Sequence, residues 1–506
     1  MTRPRLHACA IAAFLVAEWP RYVWGWRAAC LAAAMAILAA AAGSFLFRRD
    51  SRLLSVTAAS LGCGLATGTL WAMFQPAHPS APPGVRAVIA GKVQSVKSVR
   101  GRTEIMLAVR RDGRDGHPCH YEAMVFVEGS SHVEAGQWLE ASGTFVVADR
   151  APSALDVLSP LQRFEGRVRA LDVPPDVGER ITSWMDSSME RMSDARGGEL
   201  IHLALSMVFG DTQGDLPSSV SSDFLAAGVT HLLVASGSNV GFALDMAAIP
   251  WGALLGRAWK RGRRAAYGVY ALCVVWGFAL LCGLQLAVLR AACGASYAIA
   301  ASMCGRRVHG YTVLWASAGM AGVLDPGDLL TPSMLLSFYA AFAVCEAEAL
   351  WRRMHPKRMD EGRESSSRSW LVRAGMPLVR GLVTTAVVDA YMVPVLWWMF
   401  RQWTPYAAIS TAILEPSVEM LLPVLVLWSV SAAMARAWPV AFLIWCAHGM
   451  SDVGCGAMSA VLWFVHRVAS WRGSLQSLAP LSLEGACAMV SGLVLIAHAR
   501  VPSRRR

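Results

Sequence analysis

Residues 265–282 (AAYGVYALCVVWGFALLC) and 284–303 (LQLAVLRAACGASYAIAASM) carry one charged side chain between them, Arg290. An apolar run of about 20 residues is what a helix needs to cross the hydrocarbon core of a bilayer. Working outward, similar runs recur at 225–256, 311–325, 333–350, 381–400, 407–433, 438–466 and 481–498, and before them at 6–19, 28–47 and 53–74. The 506-residue chain is 55% hydrophobic and 16% charged, which excludes both a single soluble globular domain and a disordered chain. The expected fold class is a polytopic α-helical membrane protein of about 10–12 spans.

The charge pattern gives this chain a direction. Basic clusters stand at Arg48, Arg49 and Arg52, at Lys260 to Arg264, at Arg306 and Arg307, between Arg352 and Arg380, and at Arg504 to Arg506. With twelve spans every one of them falls on the cytoplasmic side. The net charge of +11 is then a consequence of topology and not a sign of nucleic acid. The first apolar run lacks a small-x-small cleavage site before Trp19 and Pro20 and reads as a retained span or hairpin. Of the 12 Cys, all but Cys119 lie in apolar segments, and no CxxC occurs, so a zinc or redox site has no support.

One region breaks the membrane pattern. After the Pro-rich linker 76–84 (PAHPSAPPG), residues 88–99, 103–110, 121–127 and 138–147 alternate apolar and polar side chains. Four or five such strands predict an inserted small all-β, OB-like barrel, placed outside the cytoplasm by the charge pattern. Its candidates for single-strand binding are Lys92, Arg100, Arg102, Arg110 and Arg111 with Trp138 as a stacking platform, and Tyr121 or Phe126 as further ones. A solvated strand face is the other reading of the same residues. His117-Pro118-Cys119-His120 is expected on a solvated turn and not as a metal site. Residues 178–210 read as amphipathic helices at the membrane surface. The predicted organisation is therefore 1–75 N-terminal spans, 76–172 β domain, 173–222 surface helices, 223–500 helical domain and 501–506 basic tail.

The helical domain opens on Gly228-Val-Thr-His231-Leu-Leu-Val-Ala-Ser236-Gly237-Ser238-Asn239-Val-Gly241, preceded by a turn at Gly210-Asp211. Polar groups here sit at or inside a span, where unsatisfied polarity is expensive. Gly237 and Gly241 have the small-xxx-small spacing of close helix approach. The stretch resembles the ComEC-type competence channel family, whose members carry G-x-x-H-L-L-A-x-S-G-x-H-V-G after an L-x-x-G-D turn. Leu289-Arg290-Ala291-Ala292 resembles the family's S-x-x-R-A helix. Leu324-Asp325-Pro326 followed by Thr331-Pro332-Ser333-Met334-Leu335-Leu336-Ser337-Phe338 resembles its D-P…P-S-F-Q-L-S-F segment. Order and spacing agree over roughly residues 196–435, with departures at Asn239 for a family histidine and Leu335 for a glutamine. The family's late N-L-x-A-x-P helix corresponds to Thr411 to Pro416, read as a broken helix.

The resemblance implies a channel for single-stranded DNA across the bacterial cytoplasmic membrane during natural transformation. Its path would comprise His231, Ser236, Gly237, Asn239, Gly241, Arg290, Ser333, Ser337 and Glu415. No P-loop and no H-x-H-x-D-H metal cluster occurs, so the chain is expected to be the conduit alone, with neither cofactor nor enzymatic activity. Partners implied are single-stranded DNA, membrane lipid, a cytoplasmic ATPase or single-strand-binding protein, a DNA-delivering receptor or pilus, and a second copy of the chain. Two other functional classes compete with the channel. Carboxylates in or near the spans (Asp245, Glu346, Glu348, Asp389, Glu415, Glu419, Asp452), of which Glu346 and Glu348 approach the interfacial Arg352-Arg353 end, allow a small-molecule or ion transporter. A serine enzyme using Ser236 or Ser238 with His231 lacks the strained G-x-S-x-G turn.

Overall fold

The computed structural model describes residues 84–99, 102–113, 117–128, 133, 137–146, 162–171, 173, 177–193, 198–210, 216–255, 261–325, 331–354, 370–479 and 481–498. The expected N-terminal spans, the linker up to residue 83 and the basic tail lie outside them.

Five strands form a closed barrel in the order β1-β2-β3-β5-β4, with β4 returning to β1. They are β1 (Arg86–Val99), β2 (Arg102–Asp112), β3 (His117–Glu128), β4 (Trp138–Val146) and β5 (Gln162–Ala170). All pairs are antiparallel except β3 with β5. The alternation in the sequence is the cause. Ile89, Ile105, Leu107, Ala123, Val125, Leu139, Ala141 and Phe164 point inward and are fully or almost fully buried, while their neighbours point out. Phe145 meets Phe164 edge-on at 5.0 Å, a favoured aromatic geometry.

Two expectations fail here. His117 to His120 is not a turn: it opens β3, and Cys119 is a core residue, 2% exposed. Burial and the nearby Asp112 carboxylate push its thiol up to about 12. Tyr121 also faces the core, so it cannot stack on a nucleic acid. In both cases the in-out register of β3 decides the side, starting two pairs earlier than the apolar alternation suggested.

Twelve α-helices follow among the described residues: α1 (Val177–Met192), α2 (Gly198–Phe209), α3 (Ser218–Ala226), α4 (Gly237–Leu255), α5 (Arg261–Leu281), α6 (Leu286–Met303), α7 (Gly310–Leu324), α8 (Pro332–Met354), α9 (Trp370–Phe400), α10 (Ala407–Ala437), α11 (Ala441–Ala469) and α12 (Leu483–His498). By length and composition, Leu286–Met303, Pro332–Met354, Val379–Phe400 and Ala407–Ala437 are long and apolar enough to cross a membrane.

The chain divides into two compact units. The first contains the barrel and α4 to α7. In it α6 packs against α4, α5 and α7, and Trp276 of α5 donates to Ser296 Oγ of α6 at 3.1 Å. The second contains most of α1, then α2, α3 and α9 to α12. In it α10 packs along α11, α2 packs against both, α3 against α11, and α12 against α9. Trp428 of α10 is fully buried, with its ring over Gly454 of α11. A two-residue pairing of β6 (Gln402–Trp403) with β7 (Gln476–Ser477) ties the turn before α10 to the turn after α11.

Two membrane segments differ from their sequence reading. The apolar run 225–256 is not one helix: α3 ends at Ala226, a single 3-10 turn spans Thr230–Leu232, and α4 begins only at Gly237. Apolarity reports burial, and Gly228 and the Ser236-Gly237-Ser238 stretch interrupt the helix locally. Conversely, α10 runs unbroken through Pro416 and Pro423. Each proline removes one donor, but a helix within a bundle tolerates that when other groups satisfy the freed carbonyls. Next to Pro416, Ser417 Oγ donates to the Ile413 carbonyl at 2.6 Å.

Candidate functional site

The approach to α4 is built from two left-handed glycines. Gly210 closes α2 at φ +82 and is buried; Asp211 lies outside the described residues. Gly228, at φ +76, follows α3, and a β-carbon there would stand 2.4 Å from Ala407 Cβ and 2.8 Å from Thr404 Oγ1. Only glycine fits both the conformation and the space. The loop is thereby pinned to the start of α10, and it presents His231 on the exposed side of the 3-10 turn. His231 and Ser236 therefore share no helix.

At the start of α4 the structure brings two predicted residues together. Gly237 is the first residue of the helix, and a β-carbon on it would lie 2.7 Å from Arg290 Nη2 and 3.4 Å from Ala291 Cβ. The guanidinium of α6 thus rests on the N-terminal turn of α4. The first turn of a helix has N–H groups that make no bond within the helix, and it carries the positive end of the helix dipole. A fixed cation at a helix N-terminus is an arrangement that attracts anionic oxygen. Asn239, in the first turn of α4, is buried at 5% exposure. No described residue lies within 4 Å of where a Gly241 β-carbon would be.

The remaining path residues are placed separately. Ser333 is exposed on the first turn of α8, and Ser337, one turn on, is half-buried. Glu415 of α10 accepts a hydrogen bond from Thr385 Oγ1 of α9 at 3.2 Å, with Asp389 and Glu419 close enough to interact with it. Gly237, Asn239, Gly241, Arg290 and Ser333 belong to the first unit, and His231, Ser236, Ser337 and Glu415 to the second.

On the barrel, Lys92 pairs directly with Trp138 across β1 and β4. Both are half-buried, so a cation and an indole stand side by side. Arg110 and Arg111 are exposed at the end of β2, and Arg102 opens β2 opposite Val99 and Glu128. Arg100 lies outside the described residues. Sequence reasoning missed Arg167 and Arg169 of β5, which pair with Ser142 and Glu140 of β4. The alternating Arg163-x-x-x-Arg167-x-Arg169 around Phe164 and Val168 was the signal. It also missed Arg436 at the end of α10. This side chain donates to Ser187 Oγ, Ser188 Oγ and the Trp184 carbonyl of α1, and lies 5.8 Å from the Trp184 ring centroid.

A family model described as Competence protein matches residues 207–503, more than half of the chain. The chain belongs to the Competence protein family. The match begins inside α2 and takes in Gly210, the 228–241 segment, Arg290, Ser333, Ser337 and Glu415. This competence protein is accordingly a membrane protein with a role in DNA uptake. No curated protein and no solved structure matches the chain. The barrel lies N-terminal to the matched region.

Proposed function

We propose that this competence protein is the conduit through which single-stranded DNA crosses the bacterial cytoplasmic membrane. The observation that carries the reading is the seating of Arg290 on the N-terminal turn of α4, inside the matched region. A strand of DNA presents a phosphate at every nucleotide, and a guanidinium at the positive end of a helix dipole attracts such an oxygen. Arg290 stands on α6, one of the helices able to cross a bilayer, so its charge must face protein or a polar path. The barrel, in this reading, is an OB-like module on the extracytoplasmic side that receives the strand. Its closed strand order and the Lys92–Trp138 pair support that assignment. Force comes from a cytoplasmic ATPase or single-strand-binding protein, DNA arrives from a receptor or pilus, and a second copy of the chain completes the assembly.

The experiment is uptake of labelled DNA into a DNase-protected cytoplasmic pool in cells whose only copy is Arg290→Ala. Removing one charge-assisted hydrogen bond of about 1.5–3 kcal/mol lowers the rate roughly 10- to 100-fold. Uptake at the wild-type level contradicts the reading. One observation favours a second reading. Asp389, Glu415 and Glu419, with Thr385 beside them, form a carboxylate cluster between α9 and α10, of the kind that carries cations or protons in a transporter. Glu415→Gln that abolishes a cation flux while DNA uptake persists selects it.

A further inference from the structure

The α1–α2 hairpin carries three potential metal ligands that neither the DNA path nor the barrel uses. Asp186 and Glu190 are one turn apart on the same face of α1, and His202 projects from α2. One ligand atom from each lies within 4.8 Å of the others. His202 Nε2 stands 3.5 Å from Asp186 Oδ1, and that oxygen is shielded from solvent and accepts no hydrogen bond from the described residues. A plain imidazolium–carboxylate pair closes to about 2.7–2.9 Å, because the charge-assisted hydrogen bond draws it in. Two ligands of one tetrahedral ion, each at about 2.0–2.2 Å from the metal, stand about 3.4 Å apart. The observed separation is close to that spacing.

We propose that Asp186, Glu190 and His202 bind a divalent first-row transition-metal ion of the zinc type. One imidazole and two carboxylates suit such an ion better than calcium, which takes oxygen alone, or cuprous copper, which takes sulfur. Three protein ligands leave a coordination position for water or an anionic oxygen. Both arms are held before the ion arrives. Arg436 fixes α1 by three hydrogen bonds, and α2 is packed on α10 and α11. Glu190 is exposed and gives the ion its way in. The ion clamps α1 to α2 immediately before the Gly210 turn.

The test uses the full chain, purified in detergent without an affinity tag and stripped with chelator, then titrated with Co²⁺ and followed by visible absorption. The site takes one equivalent of Co²⁺, which Zn²⁺ displaces. His202→Ala abolishes the absorption. Glu190→Gln, an exposed substitution that leaves the fold alone, weakens binding by roughly tenfold or more. His448→Ala, outside the cluster, leaves it unchanged. Absence of Co²⁺ absorption in the wild-type chain, or absorption of equal strength and affinity in Glu190→Gln, overturns the proposal and leaves an ion pair only.

Discussion

The Arg290 guanidinium lies against the α-carbon of Gly237, so that a β-carbon at position 237 would stand 2.7 Å from Nη2. The atom it would strike is the far end of a flexible side chain. Gly237→Ala therefore folds and displaces the guanidinium from the helix N-terminus. The expected result is normal membrane abundance and a transformation frequency lowered roughly tenfold, the value of about 1.4 kcal/mol at one hydrogen bond. Because both residues act through the same charge, Gly237→Ala adds nothing further in an Arg290→Ala background. Additive losses in the double variant would separate the two residues.

Gly228 serves stability instead. Its left-handed backbone costs an alanine about 1–2 kcal/mol, and the collision with Ala407 and Thr404 adds about 1–3 kcal/mol of overpacking. Gly228→Ala is expected to lower the thermal midpoint of the detergent-solubilised protein by several degrees. Gly241→Ala, where no described residue lies within 4 Å, does not lower it, because alanine favours the helix over glycine.

On the barrel, the Lys92–Trp138 pair predicts a divided phenotype. Trp138→Ala removes a stacking platform worth about 1–3 kcal/mol per base and weakens oligonucleotide binding at all salt concentrations. Lys92→Ala, and equally Arg167→Ala or Arg169→Ala, reduces the slope of log K against log salt by about 0.7 for each phosphate that the variant no longer neutralises. Fluorescence anisotropy with a labelled single strand measures both. An unchanged affinity in Trp138→Ala removes the indole from the interface.

Cys119 gives a pH prediction. Its thiol is pushed up to about 12, so the folded barrel keeps it protonated where an ordinary thiol, near 9, ionises. The raised value means that the unfolded chain releases a proton first. This group's contribution to barrel stability is therefore intact below pH 9 and declines as pH rises from there toward 12. In the folded protein at about pH 8, below the ordinary thiol range, mass spectrometry should find the Cys119 peptide unalkylated by iodoacetamide, and alkylated once denaturant is added. Rapid labelling without denaturant would contradict the buried position.

The sequence disclosed these features unevenly, for physical reasons. Period-two alternation marked four of the barrel strands, because each apolar side chain there points into a core. It marked β5 poorly, since Arg163, Glu165, Arg167 and Arg169 leave only Phe164 and Val168 to face inward. Hydropathy located the helices from 261 onward but merged α3, the 3-10 turn and α4 into one run, because it measures burial and not backbone geometry. The path residues were legible as polar groups in apolar surroundings. That Arg290 meets Gly237, or that His202 faces Asp186, depends on how separate helices dock, and no local pattern encodes it.

The most direct measurement of the central claim is the fate of labelled DNA in cells deleted for this gene. Cells lacking the protein should bind DNA and hold it outside the cytoplasmic membrane, with no DNase-protected label inside, and a plasmid copy should restore entry. Label reaching the cytoplasm at the wild-type level in the deletion strain would show that the strand crosses by another route.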